Sequence, residues 1–149
     1  MQPLWDVADF VRKARRQMRF GEMSRAPLRL MRLQWQGDSL ECGWMVRPPD
    51  AWDASLRRLE RERNVSQQAL RDAITLRDLI FATLSDVRNA LLRAFRPAAA
   101  REPPDLAVTG RLARDSLAEC RVSSLAMRAK LCGFQFSLDE GVLQAMQTQ

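Results

Sequence analysis

The 149-residue sequence contains no histidine, and this absence excludes more chemistry than any other feature of its composition. Histidine is the usual general base and proton shuttle of enzymes and a common ligand of zinc. The cysteines Cys42, Cys120 and Cys132 form no C-x-x-C pair and leave one thiol over. We therefore predict buried reduced thiols, no metal site and no histidine-dependent hydrolysis.

Motifs for nucleotide binding and nucleophilic catalysis are also missing. The sequence has no Walker pattern, no dinucleotide-binding glycine pattern and no nucleophile elbow. Its tight acidic pairs, Asp50 with Asp53 and Asp139 with Glu140, match the negative charge that the first turn of a helix favours. These features predict a protein that is not an enzyme and that needs no cofactor.

Long apolar runs are absent as well. No run approaches the roughly 18 residues that a membrane-spanning helix needs, and the first residues lack the basic-then-apolar order of a signal peptide. A hydrophobic content of 46% and a charged content of 28% are typical of globular proteins. We expect a cytoplasmic protein without a membrane span, in which residues 1–149 form a single domain.

Positive charge is concentrated in the first 32 residues. They hold eight basic and three acidic side chains, a net charge of +5, whereas residues 33–149 contribute only +1. The densest part lies in a predicted helix over residues 4–20, whose apolar positions recur at helical spacing. Those apolar positions are Leu4, Val7, Val11, Ala14 and Met18.

The candidate binding residues are basic and lie on this helix or shortly after it. They are Arg12, Lys13, Arg15, Arg16, Arg19, Arg25 and Arg32. A cluster of one sign attracts an acidic partner, although a solvated helix face with no partner would show the same pattern.

A β-hairpin is predicted over residues 28–47, because Gly37-Asp38 is a turn signal between two apolar runs. A two-residue loop at this position places the apolar side chains of both strands on a shared face, and a slip of one residue would scramble that face. The predicted apolar pairs are Trp35 with Leu40, Leu33 with Cys42, and Met31 with Trp44.

Helices are predicted for most of the remaining chain. They cover residues 51–63, 67–95, 111–132 and 138–146, and a proline-containing loop covers residues 96–110. The predicted fold class is mainly α within α+β. It is a helical bundle-like domain of about five helices, with one antiparallel β-hairpin inserted after the first helix.

The functional reading that the sequence favours is a non-catalytic binding subunit or adaptor, which recruits a partner through its basic N-terminal helix and hairpin. The alternative is a nucleic-acid-binding accessory protein that uses the Arg12–Arg32 basic surface to bind RNA or DNA. An interfacial membrane helix is a third candidate, because Trp5, Phe10 and Phe20 flank the cluster. The expected partner is another protein or an acidic polymer, and the sequence leaves a homo-oligomer open.

Overall fold

The computed structural model describes residues 3–98, 102–114 and 124–146. In these ranges the chain forms three α-helices, one short 3-10 helix and seven β-strands. The helices are α1 (Pro3–Gln17), the 3-10 helix Ala51–Ser55, α2 (Arg58–Thr83) and α3 (Leu125–Leu131). The strands are β1 (Arg29–Gln36), β2 (Ser39–Met45), β3 (Asn89–Arg96), β4 (Asp105–Ala113), β5 (Phe134–Gln135), β6 (Leu138–Asp139) and β7 (Val142–Leu143).

Five strands form a mixed sheet in the order β1-β2-β3-β4-β5, so β1 and β5 are its edges. The pair β2–β3 is parallel and the other pairs are antiparallel. Parallel neighbours need a crossover connection, and α2 supplies it between β2 and β3. The strands β6 and β7 form a separate two-stranded sheet.

The hydrophobic core lies between the helices and one face of the five-stranded sheet. Buried positions alternate along the strands, so that Cys42 and Trp44 of β2 and Leu92 of β3 face the same core as Ile80 of α2. The intervening positions are more polar and form the opposite face, where Arg93 reaches Glu41 on the neighbouring strand. The fold is therefore an α+β arrangement with helices on one side of a mixed sheet.

The prediction of a helical bundle is wrong, because two predicted non-strand segments form central strands. Residues 89–96 lie in the predicted helix 67–95, yet they form β3 between β2 and β4. Residues 105–113 were assigned to the loop 96–110 and to the start of the helix 111–132, yet they form β4. In each segment, cross-strand hydrogen bonding and burial on the core face outweigh a local preference for helix or loop.

The remaining helix predictions also need correction. The predicted helices 51–63 and 67–95, whose continuity across residues 64–66 the sequence leaves open, are joined there, since α2 runs from Arg58 to Thr83; the 3-10 helix Ala51–Ser55 precedes it. The predicted helix 111–132 contains α3 near its end, and its residues 115–123, with Cys120, lie outside the described residues. The predicted helix 138–146 is a β6–β7 hairpin, whose turn places Glu140 and Gly141 at positive φ.

The predicted hairpin is confirmed as β1 and β2, with its turn at Gly37-Asp38. Trp35 pairs with Leu40 and Leu33 with Cys42, as expected. The pairing of Met31 with Trp44 is wrong, because a β-bulge between Leu30 and Arg32 shifts the register and places Leu30 opposite Trp44. A bulge adds one residue to one strand, and the extra residue, Met31, is 49% exposed.

The predicted first helix is confirmed as α1, although it ends at Gln17. Ala14 and Met18 are buried as expected, Val7 and Val11 are half-buried, and the side chain of Leu4 is outside the described part. Phe10, one of the residues that flank the basic cluster in the predicted interfacial membrane helix, is 0% exposed and belongs to the core. A buried Phe10 is not free to enter a lipid surface. None of the described helices combines the length and the apolarity needed to cross a membrane.

Cys42 lies in the core face of β2, and burial raises the pKa of its thiol to about 12. The thiolate is the nucleophile in alkylation, so a raised pKa and a buried position both suppress the reaction. We expect iodoacetamide to leave Cys42 unmodified in the native protein at mildly alkaline pH, and to modify it fully in concentrated guanidinium chloride. Mass spectrometry of the peptide that contains Cys42 measures the extent of modification under both conditions. Modification of native Cys42 at the rate of the unfolded chain would contradict this prediction.

Candidate functional site

Four of the seven predicted binding residues lie along one side of α1 and the turn that follows it. They are Arg12, Arg15, Arg16 and Arg19, and all four side chains are exposed. Positions separated by three and four residues fall on the same side of a helix, so the sequence spacing brings their guanidinium groups to one surface. This stripe is the most concentrated positive charge on the described surface of α1.

The four arginines line a groove together with Met18, Pro27 and Leu28. We call it the arginine groove; its volume is about 660 Å³. Pro27 and Leu28 come from the segment that leads into β1, so the groove lies between the end of α1 and the entry to the hairpin. Its lining combines positive charge with apolar side chains.

A second groove adjoins the first along β1. We call it the edge groove; it has a volume of about 380 Å³ and is lined by Val11, Ala14 and Arg15 of α1 and by residues 28–33. Arg15 and Leu28 line both grooves, so the two form one continuous depression. The depression follows α1 on one side and the edge strand of the sheet on the other.

The four arginines of the stripe have no acidic partner among the described residues. Among the ion pairs of the described residues, none involves Arg12, Arg15, Arg16 or Arg19. The guanidinium of Arg19 lies 5.2 Å from the ring centroid of Phe20. The positive charge of the arginine groove is therefore not neutralised by the described part of the chain.

The other predicted binding residues lie elsewhere. Lys13 pairs with Asp9 at 3.1 Å, as expected for positions four apart on a helix. The backbone N–H of Arg25 donates to Asp50, and its guanidinium lies 5.5 Å from the ring of Trp52. These contacts give Lys13 and Arg25 local structural roles, and the structure does not bring them into the arginine groove.

Arg32 lies on the open face of the sheet and at the far end of the edge groove. It donates to Gln34 at 2.6 Å and pairs with Glu41 at 3.5 Å, while Arg93 pairs with the same carboxylate at 3.1 Å. A third depression, of about 670 Å³, crosses this open face. Because Glu41 already neutralises part of the charge of Arg32 and Arg93, this depression attracts an anion less strongly than the arginine groove does.

A structural role explains only part of the stripe. Arg15 and Arg16 lie in the last turn of α1, where positive charge complements the helix dipole by about 0.3–1 kcal/mol. Arg12 lies further from this end, and like charges four apart on a helix oppose one another by about 0.2–0.5 kcal/mol. Arg12 with Arg16 is such a pair. An anion bound in the groove would relieve this repulsion.

The arginines of the groove can be predicted from the sequence, but the rest of the groove cannot. Its apolar wall, Pro27 and Leu28, precedes the hairpin and carries no charge or motif that marks a site. Trp44 is buried in the core, whereas Trp52 is 73% exposed. In the described ranges, no group of acidic and cysteine side chains is arranged to hold a metal ion.

Comparison of the chain with protein-family models, with curated proteins and with solved structures finds no match.

Proposed function

We propose that the protein is a non-catalytic binding subunit or adaptor, and that its arginine groove recruits an acidic segment of another protein. The observation that carries this proposal is the stripe of Arg12, Arg15, Arg16 and Arg19, which lines a groove and has no carboxylate partner among the described residues. Exposed arginines left in one groove supply binding energy to an incoming anion, because no ion pair of the described residues has to break first.

The chemistry of the groove favours a carboxylate-bearing protein segment. The planar guanidinium forms two parallel hydrogen bonds to a carboxylate, which gives direction as well as attraction. Met18, Pro27 and Leu28 add apolar surface to the same groove. A segment that mixes acidic and apolar residues can use both kinds of contact, whereas a purely charged polymer uses only one.

A nucleic-acid-binding accessory protein is the second candidate, and one observation favours it. Phe20, which follows Arg19, is 62% exposed, and an exposed ring beside arginines can stack on a base. Among the described side chains, the other strongly exposed aromatic ring is that of Trp52, which lies beside Arg25. In the described ranges a single exposed ring therefore adjoins the stripe, a smaller stacking surface than single-strand binders use, so we rank this function second.

The test compares two charge-matched triple variants. The first replaces Arg12, Arg16 and Arg19 with glutamine. The control replaces Arg57, Arg88 and Arg111 with glutamine; these side chains are also exposed, and none lines the arginine groove. Both variants lose the same charge, so a difference between them reports the position of the charge. The probes are a labelled peptide of alternating glutamate and valine and a labelled single-stranded oligonucleotide, both followed by fluorescence anisotropy.

We expect the first variant to bind the peptide about tenfold more weakly or worse, since three charge-assisted contacts of up to about 1 kcal/mol each are lost. The control variant should bind it within about twofold of the unmodified protein, because a distant charge is screened over about 8 Å at physiological salt. Equal loss in both variants would contradict the proposal. Tight oligonucleotide binding at about 0.15 M salt, with a salt slope that flattens by about one unit per lost arginine, would place nucleic acid first.

A further inference from the structure

The outer edge of β1 is the unpaired edge of the sheet that adjoins the arginine groove. β1 is eight residues long and pairs with β2 on its inner side; no other described strand pairs with it. In an antiparallel strand, alternate residues direct their N–H and C=O groups away from the neighbour, so this edge presents a row of backbone donors and acceptors. Residues 29–33 of this strand line the edge groove.

Helix α1 does not close this edge. α1 packs chiefly against α2, and the edge groove separates it from residues 28–33. Neighbouring strands in a sheet lie about 4.7–4.9 Å apart, so an added strand would run within this groove beside β1. Its side chains would alternate between the α1 side and the open face of the sheet.

The charges around the edge select the occupant. Arg15 lies on the α1 side of the edge groove, and Arg29 and Arg32 lie on β1 itself. A second copy of this chain paired at β1 would bring these arginines against their own counterparts. Edge charges and the bulge at Met31 are devices that discourage such self-pairing. These arginines attract an acidic strand and repel the same arginines of a second copy.

We infer that the acidic segment runs from the arginine groove into the edge groove as an extended strand added to the outer edge of β1, with its carboxylates against Arg15 on one side and Arg29 on the other. This inference rests on the proposed function and specifies how the partner is held. Main-chain hydrogen bonds to β1 provide affinity, and the arginines on both sides of the added strand provide selectivity for acidic residues. Val11, Leu28 and Leu33 line the same groove and accept the apolar side chains of the segment.

The experiment compares two peptides of identical charge on the unmodified protein. One is the eight-residue peptide Glu-Glu-Val-Val-Glu-Glu-Val-Val, which places glutamates on both faces of an extended strand; the other has the same sequence with every internal amide N-methylated. Methylation removes the N–H donors that strand pairing uses and leaves every carboxylate in place. Hydrogen exchange of the backbone amides of residues 29–36 is measured with and without each peptide.

We expect the methylated peptide to bind at least about tenfold more weakly, because several backbone hydrogen bonds are lost together. The unmethylated peptide should slow exchange of outward-facing amides in β1 and leave those of β5, at the opposite edge, unchanged. If the two peptides bind equally well, and binding is still lost in the variant lacking Arg12, Arg16 and Arg19, strand addition is overturned. The proposed function would then stand. Absence of binding by either peptide would overturn both. A dimer that forms with increasing concentration in sedimentation would assign the edge to a second copy instead, provided that Leu33→Pro abolishes it. This variant leaves Arg29 and Arg32 unchanged, so its effect would come from the edge of the strand and not from charge.

Discussion

Replacing Asp72 with alanine should lower the free energy of unfolding by about 3–5 kcal/mol, the usual result of breaking a buried ion pair from one side. Arg47 follows β2, Asp72 lies on α2, and both are almost completely buried. The guanidinium donates to both carboxylate oxygens, at 2.8 and 3.0 Å. The Asp72→Ala variant would leave the Arg47 charge in the core without its counter-ion.

The carboxylate of Asp72 is held by more than the arginine. Burial raises the pKa of Asp72, and the Arg47 guanidinium and the Gln68 side-chain amide oppose that rise by stabilising the ionised form. Gln68 donates to Asp72 at 2.9 Å. Asp72→Asn should therefore also be strongly destabilising, because a neutral amide of the same size does not compensate Arg47.

A double variant separates the charge effect from packing. Replacing Arg47 with methionine and Asp72 with leucine removes both charges and keeps apolar volume, and such exchanges are often neutral or stabilising. We expect the double variant to be more stable than Asp72→Ala in urea denaturation followed by circular dichroism. If Asp72→Ala shifts the free energy of unfolding by less than about 1 kcal/mol, as at an ordinary surface site, the pair is not the buried anchor described here.

This pair also connects stability to the proposed binding surface. Arg47 donates to the carbonyl oxygen of Ala26 at 2.9 Å, and Gln68 accepts from the backbone N–H of Met23 at 2.6 Å. These bonds fasten the segment between α1 and β1 to the core. Since that segment leads into Pro27 and Leu28, the apolar wall of the arginine groove depends on this buried network, in which Arg47 also donates to the carbonyl oxygen of Arg19 at 3.4 Å.

Local sequence signals were sufficient for the hairpin. Gly37 adopts positive φ in the turn, a conformation that glycine tolerates without strain, and the apolar alternation on both sides determines the register near it. The signal fails at Met31, because the bulge depends on how the strand packs rather than on the turn. Register prediction is therefore reliable for the residues closest to the loop.

The third strand was missed because its composition favours a helix. Residues 89–96 contain mainly leucine, alanine and arginine, all strong helix formers. The buried positions Ala90, Leu92 and Ala94 alternate, which is the period of a strand, but α2 is rich in the same residue types and directly precedes them. Pairing with β2, which lies about 50 residues earlier in the register, decides the structure. The residues around 89–96 carry no signal for a contact with residues so distant in the sequence.

The candidate site, too, can be predicted from the sequence only where it lies within a single element. Charge density and helical spacing predicted that Arg12, Arg15, Arg16 and Arg19 share a surface, because these are properties of a single element. The edge groove could not be predicted, since it depends on the distance between α1 and β1 in the folded chain. Lys13 and Arg25 were included by sequence proximity, and their partners Asp9 and Asp50 lie outside the predicted cluster.

The second large effect is expected at Trp44, which is 0% exposed on the core face of β2. Replacing a buried tryptophan with alanine removes many packing contacts and leaves a cavity, at a cost of about 3–5 kcal/mol. Trp44 is opposite Leu30 on one neighbouring strand and Ala94 on the other. These neighbours belong to paired strands and cannot move inward to fill the space. We therefore expect Trp44→Ala to unfold at a much lower urea concentration than the unmodified protein.

Trp44→Phe is the matched variant, and it should be far milder. The indole N–H of Trp44 is buried and has no hydrogen-bond partner in the described structure, which carries a penalty of about 1–3 kcal/mol in the native protein. Phenylalanine gives up that unsatisfied donor along with some ring volume, so the two changes offset one another. We expect Trp44→Phe to cost less than about 1.5 kcal/mol, the usual limit for near-isosteric core exchanges. A cost close to that of Trp44→Ala would show instead that the indole N–H has an acceptor and contributes to stability.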